Sequence, residues 1–554
     1  MQSTVDSESR GRVTVAKTEA STHAHTEFAI GIAIFLFCVA YLFAFRRYSS
    51  LEPDEGIVLA GAERVLRGEV PYRDFFSFYT PGSFYLVALL FRVFGDSLTV
   101  ARTSLAVTGA SCSVITYVLA RRVCPRGIAL FAAVLTTITG VAYRFLVLHN
   151  WYSTLLCCLA LYAAVKLIDS RKSVWAFATG SLATLTILFE QSKGVGLCLG
   201  LTAGCLTLHV MRRAQLFRRS QSLALTFGFL WPFILTFAYF GYHRTLGVML
   251  QDWLWPLRHY TQANHVLYGW QNWSEQARDT IFYTGPVWLR IFKVLAVSPG
   301  FLIPIFPLFG VGVFAFTVFQ VRTQKVVTRE INYYILMGAA LSGLLISVAI
   351  VRADIIHFIY LVPLWYVVLA WMLGAPEHQS TALITARPYF IAYIAITFGL
   401  MAFAILLAAT GAQNRVQTRR GIITTSAKDT AVEYVQAHVP VGQEVLVYPY
   451  LPLYNYLTAT RSPLRYDYFQ PGMNTREQAQ AIVTSLRSHE ARAVLFEPEF
   501  AEKFANSWPG TPLTAIADDP VADYIVRNYR VCKVLNSASN WRFEYMVQKD
   551  LICP

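Results

Sequence analysis

The 554-residue chain is 55% hydrophobic and only 14% charged, with 47 Lys and Arg against 33 Asp and Glu. Charge-free apolar runs of about 18 residues or more recur along it, which excludes a soluble protein and indicates a polytopic α-helical membrane protein. The basic excess lies in short clusters between those runs, where it sets topology, and no nucleic-acid partner is implied.

Residues 1–26 are rich in Ser, Thr and His, too polar to build a core, and predict a disordered cytoplasmic tail. Phe28 to Phe45 is the first membrane helix; it ends in Phe-Arg-Arg with no small-residue cleavage site and reads as an uncleaved anchor. Glu52, Asp54, Glu55, Glu63, Glu69 and Asp74 then follow within residues 52–74, an unusual density of acid beside a membrane helix. Ile57, Gly61 and Val65 recur at helical spacing, so 55–67 predicts an amphipathic helix lying on the bilayer. Thr80-Pro81 has the form of an N-cap and first helical residue, opening a second segment over 81–94. That segment spans roughly 21 Å, short of a hydrocarbon core of about 30 Å, so it too belongs in the interface.

Spanning helices are expected at 98–120, 127–143, 147–167, 174–190, 194–211, 222–240, 298–320, 331–351, 356–373 and 389–410, about eleven with the first, within a membrane domain of 27–411. With the N-terminus inside, Arg121-Arg122-Arg126, Arg171-Lys172, Arg212-Arg213-Arg218-Arg219 and Arg322-Lys325-Arg329 all fall on the cytoplasmic side. The acidic stretch, Glu190 to Lys193, the loop 241–297, Arg352 to His357 and the C-terminal region then share the extracytoplasmic face. From 412 to 554 helical patterns at 427–438, 475–489 and 520–528 alternate with strand-like 444–448, 492–496, 529–534 and 542–547, predicting a small extracytoplasmic α/β domain. Thr475 and Gln478 have capping-box spacing. No dinucleotide, Walker or Ser-nucleophile motif occurs, so this domain reads as recognition or support.

Each chemical candidate has a plainer alternative. Asp54, after Pro53 at a helix start, suits both an N-cap and a general base at the membrane boundary. Asp74 is either a turn residue or a second acid that binds the acceptor, and Glu55, beside Asp54, is read as a supporting or acceptor-binding acid. Lys193, accompanied by Glu190, and Arg352, accompanied by Asp354 and His357, lie at extracytoplasmic helix ends where the charge bias disfavours cations. They either snorkel to headgroups or grip a buried phosphate, with the acids and His357 as supporting groups; Arg92 and Arg102 are weaker candidates of the same kind. The aromatic residues of 241–297 (Trp253, Trp255, Tyr260, Tyr268, Trp270, Trp273, Tyr283, Trp288) form either an interfacial belt or a carbohydrate groove. Asn272-Trp-Ser274 fits a glycosylation pattern. Seven cysteines are apolar-run residues, no metal-ligand spacing is present, and a disulfide between Cys532 and Cys553 is left open.

Asp54-Glu55 after the first helix, Gly68-x-x-Pro-Tyr-Arg-Asp74, Pro81-Gly-x-Phe-Tyr and Arg352-x-Asp-x-x-His357 together resemble the GT-C glycosyltransferases, in particular bacterial members of the protein O-mannosyltransferase and aminoarabinose transferase type. The resemblance implies a catalytic Asp at Asp54 and two juxtamembrane helices. It implies a sugar donor on a polyprenyl phosphate, inverting transfer to a hydroxyl of a glycan, lipid or protein, and residence in a bacterial inner membrane. No cofactor is implied with certainty and a divalent metal is left open. A lipid-linked glycan transporter and a non-catalytic glycan-assembly protein are the rival readings; the first would place charges near the membrane midplane and show repeats, and neither is seen.

Overall fold

A computed structural model describes residues 24–554 except 212–217, 261–265, 267, 269–274, 325–328, 375–380, 471, 489–490, 501, 504–516 and 540. The tail before residue 24, Arg212-Arg213, Lys325, Trp270, Trp273 and the Asn272 pattern lie outside the described residues.

Nine helices among the described residues are long and apolar enough to cross a membrane. They are α1 (Ala24–Phe43), α4 (Leu98–Ala120), α6 (His149–Ser170), α8 (Gln191–Val210), α9 (Arg219–Tyr242), α12 (Val287–Gln324), α13 (Arg329–Val351), α14 (Ile355–Gly374) and α15 (Thr381–Gly411). Two of the expected spans, 127–143 and 174–190, fall on shorter apolar helices: α5 (Arg126–Leu135), which continues as a π-helical turn over Thr136–Val141, and α7 (Ser173–Phe189). The loop expected over 241–297 is partly helical, with α10 (Leu246–Trp255) and α11 (Glu275–Phe282), and α12 begins at Val287, before the expected 298. Pro299, Pro304 and Pro307 hid that continuity. The Tyr268 hydroxyl donates to the Pro304 carbonyl at 2.9 Å and ties the preceding segment to this helix.

Small residues set the closest helix pair. Gly196 and Gly200 of α8 face Gly343 and Ala339 of α13 so tightly that a Cβ on Gly343 would meet the Gly196 carbonyl at 2.1 Å. With lipid on the outside there is no hydrophobic gain from joining helices, and such backbone contact supplies the dispersion energy instead.

Between α1 and α4 lie α2 (Pro53–Leu66) and α3 (Gly82–Phe94). The first departs from expectation: Gly56 to Arg64 are all buried, so α2 is a core element rather than a raft on the bilayer. Its outer side is covered by the C-terminal domain, where a Cβ on Gly56 would sit 2.2 Å from the Leu453 backbone nitrogen. The second keeps its interfacial character, exposing Leu89, Val93 and Phe94. It starts after Pro81 with no side-chain cap, and the Thr80 hydroxyl is not used as one.

The C-terminal domain opens with an unforeseen hairpin, β1 (Asn414–Thr418) and β2 (Gly421–Thr425), that pairs through Thr424 with Arg47 and Ser49 at the end of the first helix. The remaining strands, β3 (Leu446–Tyr448), β4 (Ala493–Phe496), β5 (Tyr529–Asn536) and β6 (Arg542–Gln548), form one sheet in the order β3-β4-β6-β5, with only β3 and β4 parallel. Helices α16 (Thr430–His438), α17 (Leu453–Thr458), α18 (Arg476–Ser488) and α19 (Pro520–Asn528) complete the layer. Thr475 and Gln478 exchange the two capping-box bonds at the start of α18, and Cys532 is bonded to Cys553. Ion pairs seat the domain: Arg64 of α2 binds Asp467 at 2.6 Å, and Arg420 of the hairpin binds Asp96 at 2.9 Å and also Glu63.

Candidate active site

Helix α2 opens Glu52-Pro53-Asp54-Glu55. Pro53 takes the first helical position and Glu52 the N-cap with no side-chain bond, so Asp54 sits one residue inside and is not the cap. Successive helical residues are rotated by about 100°, which sends the two acids in different directions. Glu55 is fully buried and makes a bidentate pair with Arg102 of α4, 3.0 Å to Nε and 2.6 Å to Nη2. Arg102 also donates to the Tyr48 carbonyl at 2.6 Å, and Glu55 accepts the Val147 amide at 3.2 Å. Every strong partner is thus protein, and Glu55 is turned away from any acceptor. It ties α2 to α4 and to the loop 142–148.

That loop carries Arg144, which reaches back to Asp54 Oδ2 at 3.2 Å and Glu52 at 3.1 Å. The other oxygen, Oδ1, accepts the hydroxyl of Tyr450 from the C-terminal domain at 2.8 Å. Asp54 is therefore held between a cation and a phenol with its side chain still 35% exposed. Two elements far apart in sequence fix the orientation of a single accessible carboxylate.

Beyond Arg144 the wall of the site is made by the first turn of α6 and the α7–α8 junction. Lys193 is 2% exposed and is saturated by protein: it donates to the Asn150 carbonyl at 3.0 Å, Ser153 at 2.9 Å and Thr154 at 3.0 Å, and pairs with Glu190 at 2.8 Å. Tyr360 covers the ammonium at 5.3 Å. Snorkelling to lipid headgroups is thereby excluded for Lys193. Burial opposes ionisation of Glu190, but Lys193 and His149 outweigh it and hold the carboxyl below its usual range. The His149 ring packs on Tyr79 at 4.1 Å and lies in the combined field of Glu190, Lys193, Asp54 and His357.

Arg352 donates to Asp354 at 2.5 Å, and Asp354 in turn caps α14 and accepts the His357 ring at 2.7 Å. Burial works against the Asp354 anion, yet His357 and Arg352 bring its pKa down to about 2. Asp74 accepts the Val70 amide at 2.7 Å and pairs with Arg73 at 2.8 Å, which holds it below the usual carboxylate range; it locks the turn between α2 and α3. Arg92 is exposed at the far end of α3. The structure thus brings Asp54, Glu190, Lys193 and His357 around His149, ties Arg352 to that group through Asp354 and His357, and leaves Glu55, its partner Arg102, Asp74 and Arg92 out of it.

The aromatic stretch divides. Trp253 donates to the Tyr72 hydroxyl at 2.8 Å and Trp255 stacks on Phe78 at 5.4 Å, both inside the protein, whereas Tyr283 and Trp288 are exposed. Among the described residues no three His, Cys, Asp or Glu side chains gather as a metal site. Arg144, His149 and Tyr450 went unread in the sequence. For Arg144 the signal was present, since Tyr-Arg144-Phe is a cation at a helix end expected on the extracytoplasmic side, the same criterion that singled out Lys193 and Arg352.

The family model described as dolichyl-phosphate-mannose-protein mannosyltransferase matches residues 79–237. No curated protein sequence matches the chain significantly. Among solved structures, apo ArnT from Cupriavidus metallidurans aligns over 94% of this chain and 98% of its own, with 13% identity and a TM-score of 0.53. The same protein bound to undecaprenyl phosphate aligns over 96% and 98%, with 13% identity and a TM-score of 0.51. The Archaeoglobus fulgidus oligosaccharyltransferase in complex with Zn and sulfate aligns over 92% and 72%, with 13% identity and a TM-score of 0.50. These likenesses show a shared fold: the chain has the architecture of these membrane glycosyltransferase structures over more than nine-tenths of its length.

Proposed function

We propose that this chain is an inverting glycosyltransferase that moves a sugar from a polyprenyl-phosphate donor to a hydroxyl of a cell-envelope glycan, lipid or protein on the extracytoplasmic side of a bacterial inner membrane. The observation that carries this reading is the accessible Asp54 carboxylate, oriented by Arg144 and Tyr450 at one end of the bundle. The structural likeness to an ArnT that binds undecaprenyl phosphate supports the donor class.

In this reaction the acceptor oxygen attacks the anomeric carbon from the face opposite the phosphate. The new carbon–oxygen bond forms as the bond to the phosphate oxygen breaks, the electron pair leaves with the phosphate, and the hydroxyl proton passes to Asp54. Arg352 is the cation suited to the departing charge, with its guanidinium oriented by Asp354. Lys193, already neutralised by Glu190, stiffens the wall and contributes a fixed field. The test is transfer by purified protein in lipid discs supplied with a panel of radiolabelled polyprenyl-phosphate sugars. The expected result is a glycosylated product with inverted anomeric configuration; retention of configuration would overturn the single-displacement mechanism, and transfer from none of the donors would overturn the reading.

A further inference from the structure

Arg144 has more to offer than it uses. Its guanidinium is shared by Glu52 and Asp54, yet its Nε is buried with no hydrogen-bond partner among the described residues, although the whole residue is only 9% exposed. An unpaired donor on a buried cation is costly, and sites that carry one are built for a ligand atom. A second such donor or acceptor stands nearby: His149 Nδ1 is buried and also without a partner among the described residues. His149 is the first residue of α6, a 22-residue helix whose N-cap, Leu148, provides no side-chain bond, so the amides of its first turn have no intrahelical acceptor. The indole of Trp151, in that turn, donates to the Arg144 carbonyl at 2.9 Å and fixes the loop to the helix start.

We propose that Arg144, His149 and the open first turn of α6 form a phosphate-binding cradle, and that Arg144 passes from Asp54 to the phosphate when this ligand binds. The proposal rests on the donor class assigned above and adds an order to it. With the cradle empty, Arg144 occupies one oxygen of the base and competes with any acceptor hydroxyl for it. The donor's phosphodiester carries one negative charge over two non-bridging oxygens, which can take both arms of a guanidinium where Asp54 Oδ2 takes a single bond, and it gains a second charge as the sugar leaves. Its arrival frees Asp54 Oδ2 while Tyr450 keeps Oδ1 in place, so the base becomes available only after the donor is seated. Donor therefore binds before acceptor, and an acceptor without donor meets a base already engaged.

The probe is a short-chain polyprenyl phosphate, measured by calorimetry or fluorescence against purified protein in lipid discs, with inorganic phosphate as a second arm. Arg144→Gln is expected to weaken polyprenyl phosphate binding by about 10- to 100-fold, the range for a lost hydrogen-bonded charge. Asp54→Asn is expected to tighten it several-fold, because Arg144 no longer has to leave an anion, and this gain should vanish in the Arg144→Gln background. His149→Ala should weaken binding by a smaller factor. Equal binding of inorganic phosphate would identify the ligand as a free anion rather than a lipid headgroup and overturn the ordered-donor part of the proposal. Asp54→Asn that leaves affinity unchanged, or tightens it equally without Arg144, would overturn the switch even if sugar transfer is observed. Conversely, the Arg144-dependent gain seen in a protein that transfers no sugar would uphold the cradle while the transferase reading fails.

Discussion

Asp54 and Glu55 are adjacent in sequence and opposite in role because the helix turns one toward the space shared by Arg144 and Tyr450 and the other into the bundle. Replacing Glu55 with Gln leaves Arg102 buried without its counter-charge, and one-sided loss of a buried pair typically costs about 3–5 kcal/mol. The expected outcome is a clear drop in Tm of the purified protein, and a variant as stable as the parent would contradict the positioning role of this pair. A different carboxyl supplies a pH signature. Asp252 of α10 is buried, and burial, only partly offset by Arg465, raises its pKa from the model-peptide 3.8 to about 7. Because the folded pKa lies above the unfolded one, folding favours the protonated form; stability falls as pH rises from about 4 to about 7 and stays lower above that. Asp252→Asn should therefore match wild type near pH 4 and exceed it by more than about 1 kcal/mol at pH 8, as read by denaturant melts at the two pH values; an unchanged difference across pH would refute it. At this scale the sequence was informative wherever a charge interrupts an apolar run, which is how Lys193, Glu190 and the Arg352-Asp354-His357 group stood out. Tyr450 gave no such signal, since its hydroxyl meets Asp54 across 396 residues and a tyrosine in a loop has no distinguishing pattern.

Helix α2 shows how an element can be predicted correctly and placed wrongly. Its apolar spacing and acidic start were legible, but a helix with charges on several faces looks the same whether water or a second domain covers them. Arg64 settles the matter by spending its donors on Glu69, Asp467 and the Leu464 and Asp74 carbonyls. Gly56 marks the closest approach of that cover. Gly56→Ala should push α17 away from α2 and loosen the loop that holds Tyr450 on Asp54, because the nearest atoms are the backbone nitrogen and Cα of Leu453, with no flexible side-chain end there to absorb the shift. Lower protection of amides 450–458 in hydrogen exchange is the expected result; unchanged protection would mean the interface relaxes elsewhere. The four strands of the C-terminal sheet were readable from alternation and β-branched content. The β1–β2 hairpin was not, because Asn414–Thr418 is polar and its partner is the end of the first membrane helix, a contact no local pattern encodes.

For the whole molecule, the candidate site is assembled from the first loop, two helix junctions and the C-terminal domain, so the proposed chemistry requires that membrane and C-terminal parts meet. The positive clusters at 121–126 and 171–172 lie between the opposite helix ends, which assigns the site to the extracytoplasmic side in our reading. A reporter fused after Pro554 should be active only outside the cytoplasm, and activity inside would reverse the orientation. The central claim is that Asp54 is the base. The most direct measurement is the single-turnover transfer rate of purified Asp54→Asn with donor bound to saturation. Asn preserves size, and since Asp54 makes no capping bond its replacement leaves the start of α2 intact. The account predicts a fall of at least about 100-fold with the fold unchanged, the lower end of what a general base contributes; a rate within a few-fold of wild type would contradict it.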